Sequence, residues 1–108
     1  MTHPKITNKT ILVTGGVGSI GSELVAKITE FSPRQVRVFD NNEFGLFTAM
    51  QRYSNRKNQR YLLGDIRDKD RVNWAMQGVD TVFHTAALKH VALNEYSPFE
   101  LVKTNVIG

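Results

Sequence analysis

The segment Thr14-Gly15-Gly16-Val17-Gly18-Ser19-Ile20-Gly21 constrains this chain more than any other, because it joins an apolar run to an amphipathic stretch. Thr10-Ile11-Leu12-Val13-Thr14 reads as a short strand buried on both faces. Ile20, Leu24, Val25, Ile28 and Phe31 then recur at helical spacing, and Ser32-Pro33 stops the helix. A strand that becomes a helix through spaced glycines gives each of them a task. Gly15 permits the tight exit from the strand, and Gly18 lets backbone amides approach a pyrophosphate. Gly21 is expected to let the helix pack closely on the sheet. The first helical residues, Ser19 and Ile20, offer unpaired N–H groups and a partial positive charge to the same phosphates. The competing reading is a glycine-rich turn without a ligand. The strand-then-helix context favours the phosphate cradle.

The pattern repeats downstream. Gln35 to Asp40 reads as a second strand, and Asn42 as the N-cap of a helix carrying Phe44, Phe47 and Met50. Arg60 to Gly64 is a third strand. Asp68 is placed to cap a helix with Val72, Ala75 and Met76 inward, ended at Gly78. Val79 to Thr85 is a fourth strand. Ser97-Pro98-Phe99-Glu100 has a capping serine, a proline in the first turn and a glutamate three places after the cap, so it starts another helix. Strands alternating with helices predict an α/β fold: a three-layer Rossmann arrangement on a parallel sheet of local order 3-2-1-4. Such a sheet normally continues into a second mononucleotide-binding half. Residues 1–108 are therefore expected to be the N-terminal NAD(P)-binding portion of a longer enzyme.

Composition narrows the class. The chain has 108 residues, 41% hydrophobic, with no cysteine, which excludes disulfides and thiolate metal sites and suits a cytoplasmic protein. No apolar run reaches the length of a membrane span, and the start lacks the apolar core of a secretory signal. The net charge of +4 has a local source in Arg52, Arg56, Lys57 and Arg60. With Tyr53 and Tyr61 the sole interleaved aromatics, this reads as a solvated basic loop that attracts anionic nucleotides, and no nucleic-acid partner is expected.

Several side chains follow the strands at the edge where ligands bind in open α/β sheets. Asp40 ends the second strand about twenty residues after Gly21, where an acidic residue accepts the ribose hydroxyls of NAD and repels the extra phosphate of NADP. The alternative is an ordinary turn aspartate. Asn41 and Asn42 can hydrogen-bond a phosphate, so NADP stays possible. Asp65 and Ile66 are placed to meet an adenine edge, with carboxylate and backbone N–H respectively. Ala86 and Ala87 leave room for a cofactor ribose, and Lys89 supplies a cation for an anionic substrate. His84, among apolar neighbours, reads as a satisfied core histidine, and no spacing resembles a zinc site.

Thr-Gly-Gly-x-Gly-x-x-Gly, the aspartate after strand two, Gly64-Asp65-Ile66-Arg67-Asp68 and the small-residue loop after strand four resemble the extended short-chain dehydrogenase/reductase family. Ala86-Ala87-Leu88-Lys89-His90-Val91, Glu95 to Glu100 and Lys103-Thr104-Asn105-Val106-Ile107-Gly108 resemble, more narrowly, capsular-polysaccharide-type UDP-N-acetylglucosamine 4,6-dehydratases. The resemblance implies a UDP-sugar partner, transient oxidation at C4, elimination of water across C5–C6 and return of the hydride to C6. UDP-sugar 4-epimerases share the scaffold and the oxidation step, and a non-catalytic NAD-binding sensor is the third reading. The family's catalytic Tyr-x-x-x-Lys follows the next strand. Tyr53-x-x-x-Lys57 has the spacing but follows helix two, so no catalytic residue is assigned here. Asp40-Asn41-Asn42-Glu43 is nearer the longer, membrane-anchored relatives than the Ser-Arg type that suits NADP. Self-association into a homo-oligomer is expected, because a sheet without its remaining strands has an open edge.

Overall fold

The structure, a computed structural model, describes residues 2–85. Seven elements alternate: β1 (Thr10–Thr14), α1 (Ser19–Thr29), β2 (Gln35–Asp40), α2 (Glu43–Arg52), β3 (Gln59–Leu63), α3 (Lys69–Ala75) and β4 (Thr81–His84). The four strands are parallel, in the order β3-β2-β1-β4. This is the Rossmann order expected from the sequence. The short connections between parallel strands each carry a helix, as parallel pairing requires.

Strand alternation divides the core into two layers. Ile11 and Val13 of β1, Val36 and Val38 of β2 and Phe83 of β4 meet Val25 and Ile28 of α1 and Leu46 of α2 on one face. Leu12, Phe39, Leu62 and Val82 meet Ala75 of α3 and Val79 on the other. β1 is buried along its whole length because it is central and covered on both faces. Each fully buried Ile, Leu or Val there contributes about 1.5–3 kcal/mol relative to exposure.

Local signals set most boundaries. The Asn42 side chain accepts from the Gly45 amide at 3.0 Å, and the Asp68 side chain from the Arg71 amide at 3.1 Å, so both caps are real. Gly78 has φ +74°, as expected of a residue that follows a helix end in left-handed geometry. β3 starts one residue earlier than expected, at Gln59, and β4 starts at Thr81.

The apolar stripe of α2 is a correction. Phe44, Phe47 and Met50 are 79%, 55% and 48% exposed, and Leu46 reaches the core instead. The cause is the rotation of the helix about its axis. A Cβ on Gly45 would lie 2.8 Å from the Val17 side chain, so this side of α2 presses on the glycine loop. That contact turns Leu46 inward and the aromatic stripe outward. Ile20 is likewise 47% exposed, since it sits in the first turn of α1, beyond the sheet it was expected to cover.

Replacing Leu46 by Ala is expected to lower stability by about 2–5 kcal/mol, while Phe47→Ser stays within about 0.5 kcal/mol. Urea midpoints at constant slope measure both. The reverse ranking would return the aromatic stripe to the core.

Candidate dinucleotide-binding site

The loop between β1 and α1 is shaped by three close approaches. Gly15 has φ +69°, a left-handed conformation that a side chain disfavours, and its amide donates to the Phe39 carbonyl at 2.8 Å. A Cβ on Gly16 would overlap the Val38 side chain. A Cβ on Gly21 would lie on the backbone of the loop itself, overlapping the Gly15 carbonyl oxygen and 2.8 Å from Gly16 Cα. Gly21 therefore lets the helix press on its own entry loop, and not on the sheet as the sequence suggested. Gly18 stands at the N-cap with extended geometry, and its amide donates to the Gly15 carbonyl at 3.1 Å.

The three helices treat their N-termini differently. α2 and α3 are closed by Asn42 and Asp68, but α1 has no side-chain cap and no acidic residue in its first turn. Among the described residues the amides of Ser19, Ile20 and Gly21 find no acceptor. Ser19 and Ile20 are exposed, while Gly21 is buried. An uncapped first turn of this kind presents aligned donors and the positive end of the helix dipole to an anion.

Neighbouring strands hold the loop in place. Asp40 is 8% exposed, and its carboxylate accepts from the Val17 amide at 3.2 Å and the Asn42 amide at 3.0 Å. A carboxylate has about four acceptor positions, so capacity remains for further donors. On the other side, the Thr85 hydroxyl donates to the Thr14 carbonyl and to the Gly15 carbonyl, the latter at 3.1 Å. The Thr85 amide adds a bond to the Thr14 carbonyl at 3.1 Å. The Thr14 hydroxyl lies 3.0 Å from His84 Nδ1, so His84 is half-buried and engaged, as its apolar setting implied.

The remaining candidates are spread around this centre. Asn41 is exposed beside Asp40, while the Asn42 oxygen is occupied by its cap. Asp65 lies past β3, but its carboxylate is taken by Arg67. The guanidinium bonds at 2.8 and 3.1 Å and the Arg67 amide at 2.8 Å. Those hydrogen bonds hold the Asp65 pKa down at about 2. The Ile66 amide has no partner among the described residues. Ala86, Ala87 and Lys89 lie outside the described residues. Among the described residues no cluster of three or more His, Asp or Glu can hold a metal, and no helix is long and apolar enough to cross a membrane.

Residues 11–108 match the family described as polysaccharide biosynthesis protein. The chain belongs to that family. Relatives include a protein of Methanocaldococcus jannaschii named uncharacterized membrane protein MJ1061, 56% identical over 94% of this chain and 30% of its own length. A UDP-N-acetylglucosamine 4,6-dehydratase (inverting) of Campylobacter jejuni is 42% identical over 93% of this chain and 30% of its own. A UDP-glucose 4-epimerase of Rickettsia canadensis is 38% identical over 94% and 30%. The chain thus spans about 30% of the length of these relatives.

Solved structures that share its fold include two that bear on the site. One is Pen from Bacillus thuringiensis, with TM-score 0.76 and 42% identity over 93% of this chain and 32% of that one. The other is the Bordetella bronchiseptica enzyme WbmF in complex with NAD+ and UDP, with TM-score 0.59 and 26% identity over 77% and 24%. The resemblance to extended short-chain dehydrogenase/reductase enzymes of the dehydratase type, read from the motifs, therefore holds for this chain.

Sequence reasoning passed over two residues of this site. Gly16 received no task, although its neighbour across the sheet, Val38, leaves no room for a side chain. By pattern Thr85 is a strand end, whereas in the structure its hydroxyl clamps the carbonyls that open the glycine loop. A threonine at the carboxyl end of a strand beside β1 was the available signal. It becomes informative once β4 is known to pair with β1.

The Asp65 pair yields a pH prediction. A folded pKa of about 2, below the usual carboxylate value of about 3.9, means the turn is stabilised above pH 4 and loses that support as pH falls toward 2. In Arg67→Gln, carboxyl NMR titration is expected to return the Asp65 pKa toward about 3.9. A value unchanged in the variant would remove Arg67 as the cause.

Proposed function

We propose that this chain is the dinucleotide-binding part of a nucleotide-sugar 4,6-dehydratase of polysaccharide biosynthesis, the N-terminal portion of a longer enzyme. The observation that carries the reading is the open first turn of α1, whose Ser19, Ile20 and Gly21 amides lack acceptors among the described residues, beside a loop with no room for a side chain at Gly16 or Gly21. Donors left unpaired on a buried glycine fit a pyrophosphate, whose oxygens would complete them. The WbmF complexes with NAD+ and with NADH support a nicotinamide dinucleotide as the occupant.

In this reading Gly15, Gly18 and Gly21 keep the loop backbone open, and the amides of Ser19 and Ile20 neutralise phosphate charge. Asp40 uses its remaining acceptor capacity for the ribose hydroxyls, with Asn41 and Asn42 beside it. Asp65 would have to release Arg67 to meet an adenine, whereas the Ile66 amide is available as it stands. Ala86, Ala87 and Lys89 are assigned from the resemblance alone: the alanines as room for the ribose, and the lysine as a cation for the UDP-sugar. When bound, the cofactor supplies a reversible hydride acceptor for the sugar C4 position. This chain's residues bind and orient it and exclude side chains from the phosphate path. NAD is favoured over NADP because a carboxylate at Asp40 repels a 2′-phosphate. A homo-oligomer and a cytoplasmic location complete the proposal, the latter resting on the cysteine-free composition.

The epimerase reading is favoured by one observation, the 38% identity to a UDP-glucose 4-epimerase. The longer protein incubated with UDP-N-acetylglucosamine separates the two. A 4-keto-6-deoxy product supports the dehydratase, a C4 epimer supports the rival, and NAD binding without turnover supports a sensor.

For this chain, NAD titration is expected to shift the amide resonances of Ser19, Ile20 and Gly21 before any others. Unmoved amides at saturating NAD would remove the proposed cradle. Because Asp40 also holds two backbone amides, its test uses Asp40→Asn with folding checked by circular dichroism. NAD affinity is expected to fall roughly tenfold, from the loss of a charge-assisted hydrogen bond, with a smaller fall for NADP. An equal fall for both would assign Asp40 to loop shape and not to cofactor choice.

A further inference from the structure

A cleft of about 160 Å3 opens on the α3 side of the sheet, lined by Arg37, Arg60, Leu62, Trp74 and Gln77. Arg37 of β2 and Arg60 of β3 stand opposite each other in register. Both project to the face that also carries Phe39 and Leu62. Like charges directly opposite on paired strands are unfavourable unless something neutralises them. Nothing among the described residues does so. The ion pair found there joins Arg67 to Asp65, and no carboxylate lines the cleft.

Arg37 is held in one geometry. Its Nε donates to Gln35 Oε1 at 2.8 Å, and its Nη1 to the Ala75 and Gln77 carbonyls at 2.8 and 2.7 Å. Those bonds satisfy the carbonyls at the end of α3 and leave the other terminal nitrogen, Nη2, without an acceptor among the described residues. The Arg60 guanidinium makes no hydrogen bond there either. Burial and the charge of Arg60 together lower the Arg37 pKa, the burial being the larger cause. The indole of Trp74, which carries the Arg71 guanidinium 4.0 Å from its ring centre, forms a flat wall of the cleft.

Among the described residues, one preorganised donor, a second cation without a hydrogen bond and no anion define the chemistry of the cleft. We infer that this cleft binds a phosphate-class oxyanion between Arg37 and Arg60, at a site separate from the glycine loop. Two guanidinium groups match the charge of a phosphate better than that of a single carboxylate, and their planar donors suit paired oxygens. The volume admits a phosphate with a small substituent, well below the 300 Å3 typical of sites that enclose a drug-sized ligand. Arg37 lies earlier on β2 than Asp40, roughly 10 Å along the strand at about 3.3 Å per residue. The two sites can therefore be read separately.

Free inorganic phosphate and the phosphate monoester of a nucleotide share this chemistry. At low ionic strength, inorganic phosphate, UMP and uridine are titrated against the chain, reading the Trp74 indole and the Arg37 and Arg60 Nε resonances. Saturable shifts with phosphate or UMP, and none with uridine, are expected. Tighter binding of UMP assigns the nucleotide as source, and equal or tighter binding of phosphate assigns the free ion. Arg60 is exposed and holds no structural bond, so Arg60→Gln keeps the fold. It is expected to weaken binding roughly tenfold, while the control Arg67→Gln leaves it unchanged. NAD-induced shifts at Ser19, Ile20 and Gly21 are expected to survive Arg60→Gln, so failure of one site does not count against the other. Shifts that do not saturate, that appear equally with uridine, or that are the same in Arg60→Gln overturn the inference.

Discussion

The exit of β1 is gripped from both sides, and the rest of the site depends on that grip. On the β2 side, the Gly15 amide bonds to the Phe39 carbonyl and the Asp40 carboxylate takes the Val17 amide. On the β4 side, Thr85 reaches back to the carbonyls of Thr14 and Gly15. A loop satisfied internally in this way does not need its first helical amides to finish its own hydrogen bonding. Among the described residues, the amides of Ser19, Ile20 and Gly21 are left without an acceptor. The physical constraint is therefore conservation of partners: each backbone group used to fasten the loop is matched, and among the described residues the loop's unmatched amides collect at the start of α1.

The contrast among the helices makes the same point energetically. Capping by Asn or Asp is worth about 1 kcal/mol, and α2 and α3 take that stabilisation from Asn42 and Asp68. α1 forgoes it, with Gly18 at its cap and no acid in its first turn. Its stability comes from Val25 and Ile28 packing on the sheet, which leaves its N-terminus available. Solved structures similar to this chain include an enzyme in complex with NAD+ and UDP.

Electrostatics separates two regions that composition lumps together. The net charge of +4 looked like one basic loop, yet its members behave differently. Arg56 stacks on Tyr53 at 3.9 Å, while Arg60 faces Arg37 across a strand pair on the α3 face. Sequence spacing could not show that second pairing, because Arg37 and Arg60 meet through strand register and not through proximity along the chain. The same reason hid Thr85 and Gly16, whose partners lie on other strands.

Local chemistry was enough to read the order of elements from β1 to β4, the parallel sheet, the caps at Asn42 and Asp68, and the glycine turn, while the helix expected from Ser97 lies outside the described residues. Each of these is decided by neighbours within a few residues or by the apolar period. Which face of α2 turns inward was decided by packing between distant segments. What Gly21 touches and where Asp65 spends its charge are settled by backbone geometry within a few residues, which residue types alone do not reveal. Phe44 and Phe47 are apolar enough for a core, but Gly45 pressing against Val17 turns them to solvent. Residue types could place a carboxylate at Asp65, but not the guanidinium that occupies it. Periodicity and turn chemistry are encoded along the chain. Helix rotation at α2 and the meeting of Arg37 with Arg60 arise when segments distant along the chain share the same space.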